Sequence, residues 1–185
     1  MRVALDPDAV TRGLRRVAGE IVERHRGATN LVIVGVRRGG VLVAEPLTRF
    51  LEDLEGHAIP KGSVDITLYR DDAATALPNP KIGPSAIPGS IDDKTVVLVD
   101  DVMYTGRTIR AALDALLDYG RPSRIELCTL VDRGGRELPI QPDYVVRKIE
   151  VGPDERVDVV QTEGGLSALV QSKNAPSVPP PPVKS

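Results

Sequence analysis

Tryptophan is absent from the 185 residues, phenylalanine occurs once and tyrosine four times, so the core must be aliphatic. That scarcity excludes a nucleic-acid surface that stacks bases on a broad aromatic platform. A single cysteine, Cys128, excludes an intramolecular disulfide, and its place in the apolar run IELCTLV reads as a small core residue rather than a catalytic thiol. With His25 and His57 the only histidines, a metal cluster of His and Cys is excluded as well. No stretch approaches the ~18 uninterrupted apolar residues of a membrane span, and the N-terminus has no charged region followed by an apolar signal segment. The expected location is the cytoplasm. An excess of positive charge is also missing: 24 Lys and Arg against 26 Asp and Glu give a net charge of −2, so any face for a polyanion must be local.

What is present is an ordinary globular composition, 41% hydrophobic and 27% charged, in a length that suits one domain of ~100–200 residues. Asp6-Pro7 followed by Val10, Leu14, Val17 and Ile21 predicts a capped helix that ends near His25-Arg26-Gly27. Leu31 to Val34 reads as a strand buried on both faces, followed by the turn Gly35-Val36-Arg37-Arg38-Gly39-Gly40 and a helix over about 41–55. Alternation over Val64 to Tyr69 predicts another strand. Residues 70–90 carry four prolines and little periodicity, as a long active-site loop would. Thr95 to Val99 and Ile125 to Val131 are further buried strands around a helix over about 108–119, and 144–146 and 157–160 are shorter candidates. Strands alternating with helices predict an α/β fold with a mostly parallel sheet flanked by helices. The domain is expected to span 1–170, and residues 171–185, with five of the sixteen prolines, to form a disordered Pro-rich tail.

The richest stretch is Val96-Val97-Leu98-Val99-Asp100-Asp101-Val102-Met103-Tyr104-Thr105-Gly106-Arg107-Thr108. A buried strand delivers two adjacent carboxylates to its carboxyl end, where open α/β sheets place ligands. Thr105, Gly106, Arg107 and Thr108 then open a helix, whose free N–H groups and dipole suit an anion. Carboxylates that accept from ribose hydroxyls beside an amide nest that holds a phosphate suit a sugar phosphate. Neither the Walker pattern nor a Gly-x-Gly-x-x-Gly fingerprint is present.

This string resembles the 5-phosphoribosyl-1-pyrophosphate (PRPP) signature of type I phosphoribosyltransferases. Together with Asp65 to Asp72 and with Val131-Asp132-Arg133-Gly134-Gly135-Arg136-Glu137-Leu138-Pro139-Ile140, it resembles, more narrowly, the bacterial pyrimidine operon regulators of the PyrR family. The likeness covers about residues 5–160. It implies the type I phosphoribosyltransferase fold, with a small hood and a flexible active-site loop over bound PRPP. It implies uracil phosphoribosyltransferase activity, uracil and PRPP giving UMP and pyrophosphate, with Mg²⁺ carried by PRPP rather than by a dedicated metal cage. Asp100 and Asp101 would hold the ribose hydroxyls, with Thr105, Gly106, Arg107 and Thr108 around the 5′-phosphate, and Val102, Met103 and Tyr104 would also belong to the PRPP or UMP site. Arg37, Arg38 and Gly39 would meet the pyrophosphate, and Arg70 would open the loop and balance leaving-group charge. Here Arg37-Arg38-Gly39-Gly40 replaces the family's common Lys-Thr-Arg-Gly, so the arginine has moved one place. Residues 131–140 would form the hood over the base, with Arg133 near the nucleotide and Val157 touching the base.

The resemblance also implies a regulator that binds pyrimidine-operon mRNA when UMP or UTP is bound, and a homo-oligomer, either dimer or tetramer. Of the 24 basic residues 18 are Arg, the side chain suited to bidentate phosphate contacts. Arg16, Arg24, Arg136 and Arg147 match the family's RNA contacts, whereas Arg15, Gly19 and Gln141 stand where RNA-binding members carry Thr, His and Arg. The alternatives are a PRPP-fold regulator with weak or no catalysis, and a phosphoribosyltransferase for another base.

Overall fold

The computed structural model describes residues 1–67, 69 and 85–176. Its centre is a five-stranded, wholly parallel sheet. The strands are β2 (Leu31–Val36), β3 (Lys61–Val64), β4 (Thr95–Met103), β5 (Arg124–Asp132) and β6 (Tyr144–Lys148), in the order β3-β2-β4-β5-β6. A second, three-stranded antiparallel sheet joins β1 (Arg2–Leu5), β8 (Gly165–Ser172) and β7 (Glu155–Thr162) in that order.

Among the described residues three helices flank the parallel sheet. In α1 (Pro7–His25) the N-cap Asp6 accepts from the Ala9 N–H at 2.7 Å and Pro7 occupies the first turn, where its missing N–H costs nothing. Val10, Leu14, Val17 and Ile21 recur at helical spacing and are all buried. They share one core with Leu47 and Leu51 of α2 (Gly39–Glu55) and with Ile33, Val97, Val99, Cys128 and Leu130 from one sheet face. The opposite face presents Val32, Val34, Val96, Leu98 and Leu127 to Ile109, Ala112 and Leu116 of α3 (Arg107–Leu117). The alternation of strand side chains thus sorts two cores, each fully buried aliphatic side chain contributing about 1.5–3 kcal/mol. Leu5, Val157, Leu166 and Val170 of the antiparallel sheet join the α1–α2 core.

Several boundaries differ from the sequence reading. The strand predicted over 64–69 ends at Val64, because the Asp65 carboxylate folds back to accept from the Thr67 N–H (2.9 Å) and hydroxyl (2.6 Å), which makes a turn. Strands β1 and β8 do not stand out as apolar runs and form by pairing with each other, Arg2 opposite Val170. Pairing also carries past the expected domain end at 170: Gln171 and Ser172 lie opposite Arg156 and Glu155. Leu68, residues 70–84 of the loop expected over 70–90, Arg70 among them, and residues 177–185 of the expected tail lie outside the described residues, while in the described part of that loop Ala86 bridges to Ser63. Among the described residues no helix is long and apolar enough to cross a membrane.

Candidate active site

Because all five strands run in parallel, the carboxyl ends of β2, β4 and β5 lie along one edge of the sheet. β4 brings Asp100 and Asp101 there: Asp100 is buried, 4% exposed, and Asp101 is half-buried. The Asp101 N–H donates to Asp100 Oδ1 at 3.0 Å and the Val102 N–H to Asp101 Oδ1 at 2.8 Å. Burial holds the Asp100 carboxyl well above the usual carboxylate range, and the adjacent Asp101 charge adds to the rise. Asp101 is also raised, chiefly by burial, against the pull of its hydrogen bonds, and the charge of Asp158 on β7 adds to the rise. Two carboxyls side by side, one buried and one half-buried, are poised to gain from hydroxyl donors or a cation.

The turn after β2 presses against this pair. A Cβ on Gly39 would lie 2.0 Å from Asp101 Oδ2, and one on Gly40 would lie 2.2 Å from the Val99 carbonyl oxygen. Only glycine lets α2 begin so close to β4. Arg37 is tied down by its N–H to the Val64 carbonyl (2.9 Å) and its Nε to Ser63 Oγ (3.2 Å), while Arg38 is exposed. The Arg37–Arg38 peptide bond is cis.

On the other side of the carboxylates the chain turns into α3. Gly106, at φ 94°, is its N-cap and supplies no side chain to the first-turn amides, which leaves donors for an incoming anion. Thr105 Oγ1 accepts from the Arg107 N–H at 3.2 Å, and Arg107 Nε donates to Glu137 at 2.7 Å. Asp100, Met103, Tyr104, Thr105, Gly106 and Thr108 line a cavity of about 90 Å³, which has room for a phosphate-sized group.

The segment read as a hood, 131–140, completes β5 and then runs as a loop packed on this turn. The Glu137 and Leu138 N–H groups both donate to the Thr105 carbonyl (2.9 and 3.1 Å), and the Arg133 N–H donates to Met103 (3.1 Å). The Arg133 guanidinium lies 4.0 Å from the centroid of the Tyr104 ring. Val157 lies on β7, buried in the α1–α2 core.

The four arginines matched to RNA contacts fall in two places. Arg16 donates from Nη2 to the Val145 and Val146 carbonyls, both at 3.0 Å, and Arg24 lies 3.6 Å from both Glu126 and Asp143. With exposed Arg147 they share the edge where α1 meets β6. Arg136 stands apart, in the loop between β5 and β6, with its side chain 14% exposed.

Sequence reasoning missed two groups. One is Asp158, whose charge reaches Asp101 from the antiparallel sheet. The other is Glu126, 2% exposed at the far end of β5, which accepts from Tyr144 (2.6 Å) and pairs with His25 (2.9 Å). Burial pushes the Glu126 carboxyl up, but those hydrogen bonds and the charges of His25 and Arg24 outweigh it and hold it below its ordinary value.

A parallel α/β sheet whose central strand ends in paired carboxyls beside a glycine-capped turn into a helix has the build of the phosphoribosyltransferase class, and the family model for the phosphoribosyl transferase domain matches residues 5–163. The hypoxanthine phosphoribosyltransferase of Trypanosoma cruzi superposes with a TM-score of 0.68 at 18% identity, covering 91% of this chain and 96% of that one. One from Staphylococcus aureus gives 0.65 at 22%, covering 86% and 81%. At such identity these structures speak for the fold alone. Much nearer in sequence is the bifunctional protein PyrR of Pelotomaculum thermopropionicum, 52% identical over 155 residues, which are 84% of this chain and 86% of that protein. The bifunctional protein PyrR of Geobacter sulfurreducens is 51% identical over 158 residues, 85% and 89% of the two chains. The chain belongs to the phosphoribosyltransferase family, in its PyrR branch.

Proposed function

We propose that the protein transfers the phosphoribosyl group of PRPP to uracil, giving UMP and pyrophosphate, and that it regulates pyrimidine biosynthesis genes by binding RNA in response to UMP or UTP. The observation that carries the catalytic half is the Asp100–Asp101 pair set between the Gly39-Gly40 turn and the Gly106 turn. As pyrophosphate leaves, C1′ of the ribose gains oxocarbenium character, so the site's work is orientation and charge stabilisation rather than covalent catalysis. Asp100 and Asp101 accept from the ribose hydroxyls, the first-turn amides of α3 with Thr105 and Thr108 hold the 5′-phosphate, and Arg37, Arg38 and Gly39 meet the pyrophosphate. Among the described residues no three His, Cys, Asp or Glu side chains cluster to hold a metal. The two carboxyls offer hard oxygen donors only, which fits Mg²⁺ that arrives on PRPP and keeps most of its water and phosphate ligands. That ion supplies charge neutralisation on the leaving pyrophosphate. Arg133 is assigned to the nucleotide and Val157 to the base, while Arg70 is kept from the sequence reading as a partner of the leaving group.

The RNA half rests on the α1–β6 edge, where Arg16, Arg24 and Arg147 gather. The functional form is a homo-oligomer in the cytoplasm. The deciding experiment incubates the protein with PRPP, Mg²⁺ and labelled uracil. UMP should form, and turnover of a purine in place of uracil would refute the assignment. A gel shift with the pyrimidine leader should require UMP or UTP and weaken in Arg16→Ala and Arg147→Ala. Binding that ignores both nucleotide and substitutions would refute the regulatory reading.

A further inference from the structure

Arg136 occupies a position matched to RNA contact, yet its guanidinium is turned into the protein. Nη2 donates to Asp132 Oδ2 at 2.8 Å and to Gln141 Oε1 at 3.1 Å, Nε to the Ile140 carbonyl at 2.9 Å, and Nη1 to the Tyr104 carbonyl at 2.9 Å. Four acceptors thus meet one side chain that is 14% exposed, and each bond to a charged donor is of the stronger kind. The acceptors come from three places: the end of β5, the loop that follows it, and the turn that forms the anion cavity. The Arg136–Asp132 pair is buried enough that burial pushes the Asp132 carboxyl up, yet the bonds from Arg136 and the Gly134 N–H hold it below its ordinary value.

We propose that Arg136 is a positioning residue for phosphoribosyl transfer: it locks the loop of residues 133–141 onto the 103–107 turn and so fixes the backbone that holds the nucleotide's phosphate. The link to the turn is direct, through Tyr104, a residue that lines the cavity and whose carbonyl Arg136 holds. It is reinforced next door, where the Thr105 carbonyl takes two N–H groups from the same loop. Gly135 completes the lock. Its φ is +78°, and a Cβ there would lie 2.4 Å from the Tyr104 ring. A guanidinium with four protein acceptors has little left for an RNA phosphate, so any effect of Arg136 on RNA passes through nucleotide binding.

The inference rests on the proposed function, and the two are tested separately. Failure of the wild-type protein to form UMP from uracil would overturn that function, whereas the lock is read by comparing variants for UMP affinity in calorimetry. Arg136→Ala should weaken UMP at least tenfold and raise the KM for PRPP more than it lowers kcat. Arg136→Lys should recover only part of the loss, because an ammonium cannot span the same acceptors. Asp132→Asn keeps the Oδ1 that accepts from the Gly134 N–H (3.0 Å) and alters the oxygen facing Arg136, so it should weaken UMP in the same direction. The double variant should be no worse than Arg136→Ala alone, within about twofold, as expected for two residues of one link. The opposite pattern overturns the proposal: UMP affinity within twofold of wild type in Arg136→Ala, with RNA affinity at saturating UMP reduced and its salt dependence shallower by about one phosphate contact. Should Arg136→Ala fail to fold, unchanged UMP affinity in Asp132→Asn is the overturning result.

Discussion

Replacing Gly39 by alanine puts the catalytic geometry to a quantitative test. The added Cβ would sit 2.0 Å from Asp101 Oδ2 and 2.3 Å from its Cγ, whereas real contacts do not fall below 3.0 Å. Something must therefore move by about 1 Å: the carboxylate or the first turn of α2. The carboxylate is restrained by the Val102 N–H at 2.8 Å, and α2 is restrained by Gly40, whose own Cβ position lies 2.2 Å from the Val99 carbonyl. Neither can yield without displacing a group assigned to the substrate. A misplacement of about 1 Å costs on the order of 10²-fold in rate, which is about 2.7 kcal/mol of transition-state stabilisation. The strain of overpacking adds about 1–3 kcal/mol of lost stability. Steady-state UMP formation with PRPP and uracil should show kcat/KM reduced about a hundredfold, with a native circular dichroism spectrum. A Gly39→Ala enzyme within threefold of wild type would refute the close approach of α2 to Asp101 as a requirement of catalysis.

Asp100→Asn should abolish turnover yet raise the thermal midpoint at neutral pH. The folded-state carboxyl is raised by burial, so the folded protein favours the protonated acid, and stability is lost as pH rises through that raised value; the gain over wild type should vanish below the ordinary carboxylate range, and its persistence there would refute the sign. Glu126→Gln should cost about 1–3 kcal/mol, or roughly 2–4 °C of thermal midpoint per kcal/mol, while uracil turnover holds, since Glu126 lies at the opposite end of β5 from the site. Because its partners hold Glu126 below its ordinary value, that deficit should shrink as pH falls through the carboxylate range, measured by thermal melts across pH. Gly135→Ala should weaken UMP binding by calorimetry, because a Cβ there is opposed both by the Tyr104 ring and by a positive φ.

The central strands of the parallel sheet were legible because they are buried on both faces and read as continuous apolar runs, as Leu31 to Val34 and Thr95 to Val99 do, whereas the edge strand β3, Lys61–Val64, has no such run and shares only Val64 with the strand expected over 64–69. The carboxylate pair and the glycine-capped turn beside it were legible for another reason: they are built from consecutive residues, 100–108. The antiparallel sheet was read only in part, since β1 is only four residues long and half exposed, and β8, though largely buried, mixes Ser167 and Gln171 with its apolar residues and pairs with β1 from the other end of the chain. The roles of Asp158 and Arg136 were hidden in the same way. Asp158 is an ordinary polar residue of an alternating strand until β7 packs near Asp101, and Arg136 is one more arginine in an arginine-rich chain until four acceptors converge on it. Glu126 did leave a signal, a lone acid inside the apolar run IELCTLV, and a charge in such a run asks for a partner.

The register of β1 against β8 sets an order of assembly. Arg2 pairs with Val170, a closure that spans nearly the whole chain, and among the described residues β7 has no strand partner other than β8. The parallel sheet can acquire its strands β2 to β6 as synthesis proceeds, but β1 stays unmatched until the last strand emerges from the ribosome. Contacts of such long separation are entropically late in folding. The small antiparallel sheet that carries Val157 and Asp158 is therefore expected to close last, so a nascent chain can assemble its Gly106 turn before it owns the sheet that places a third acidic group near Asp101.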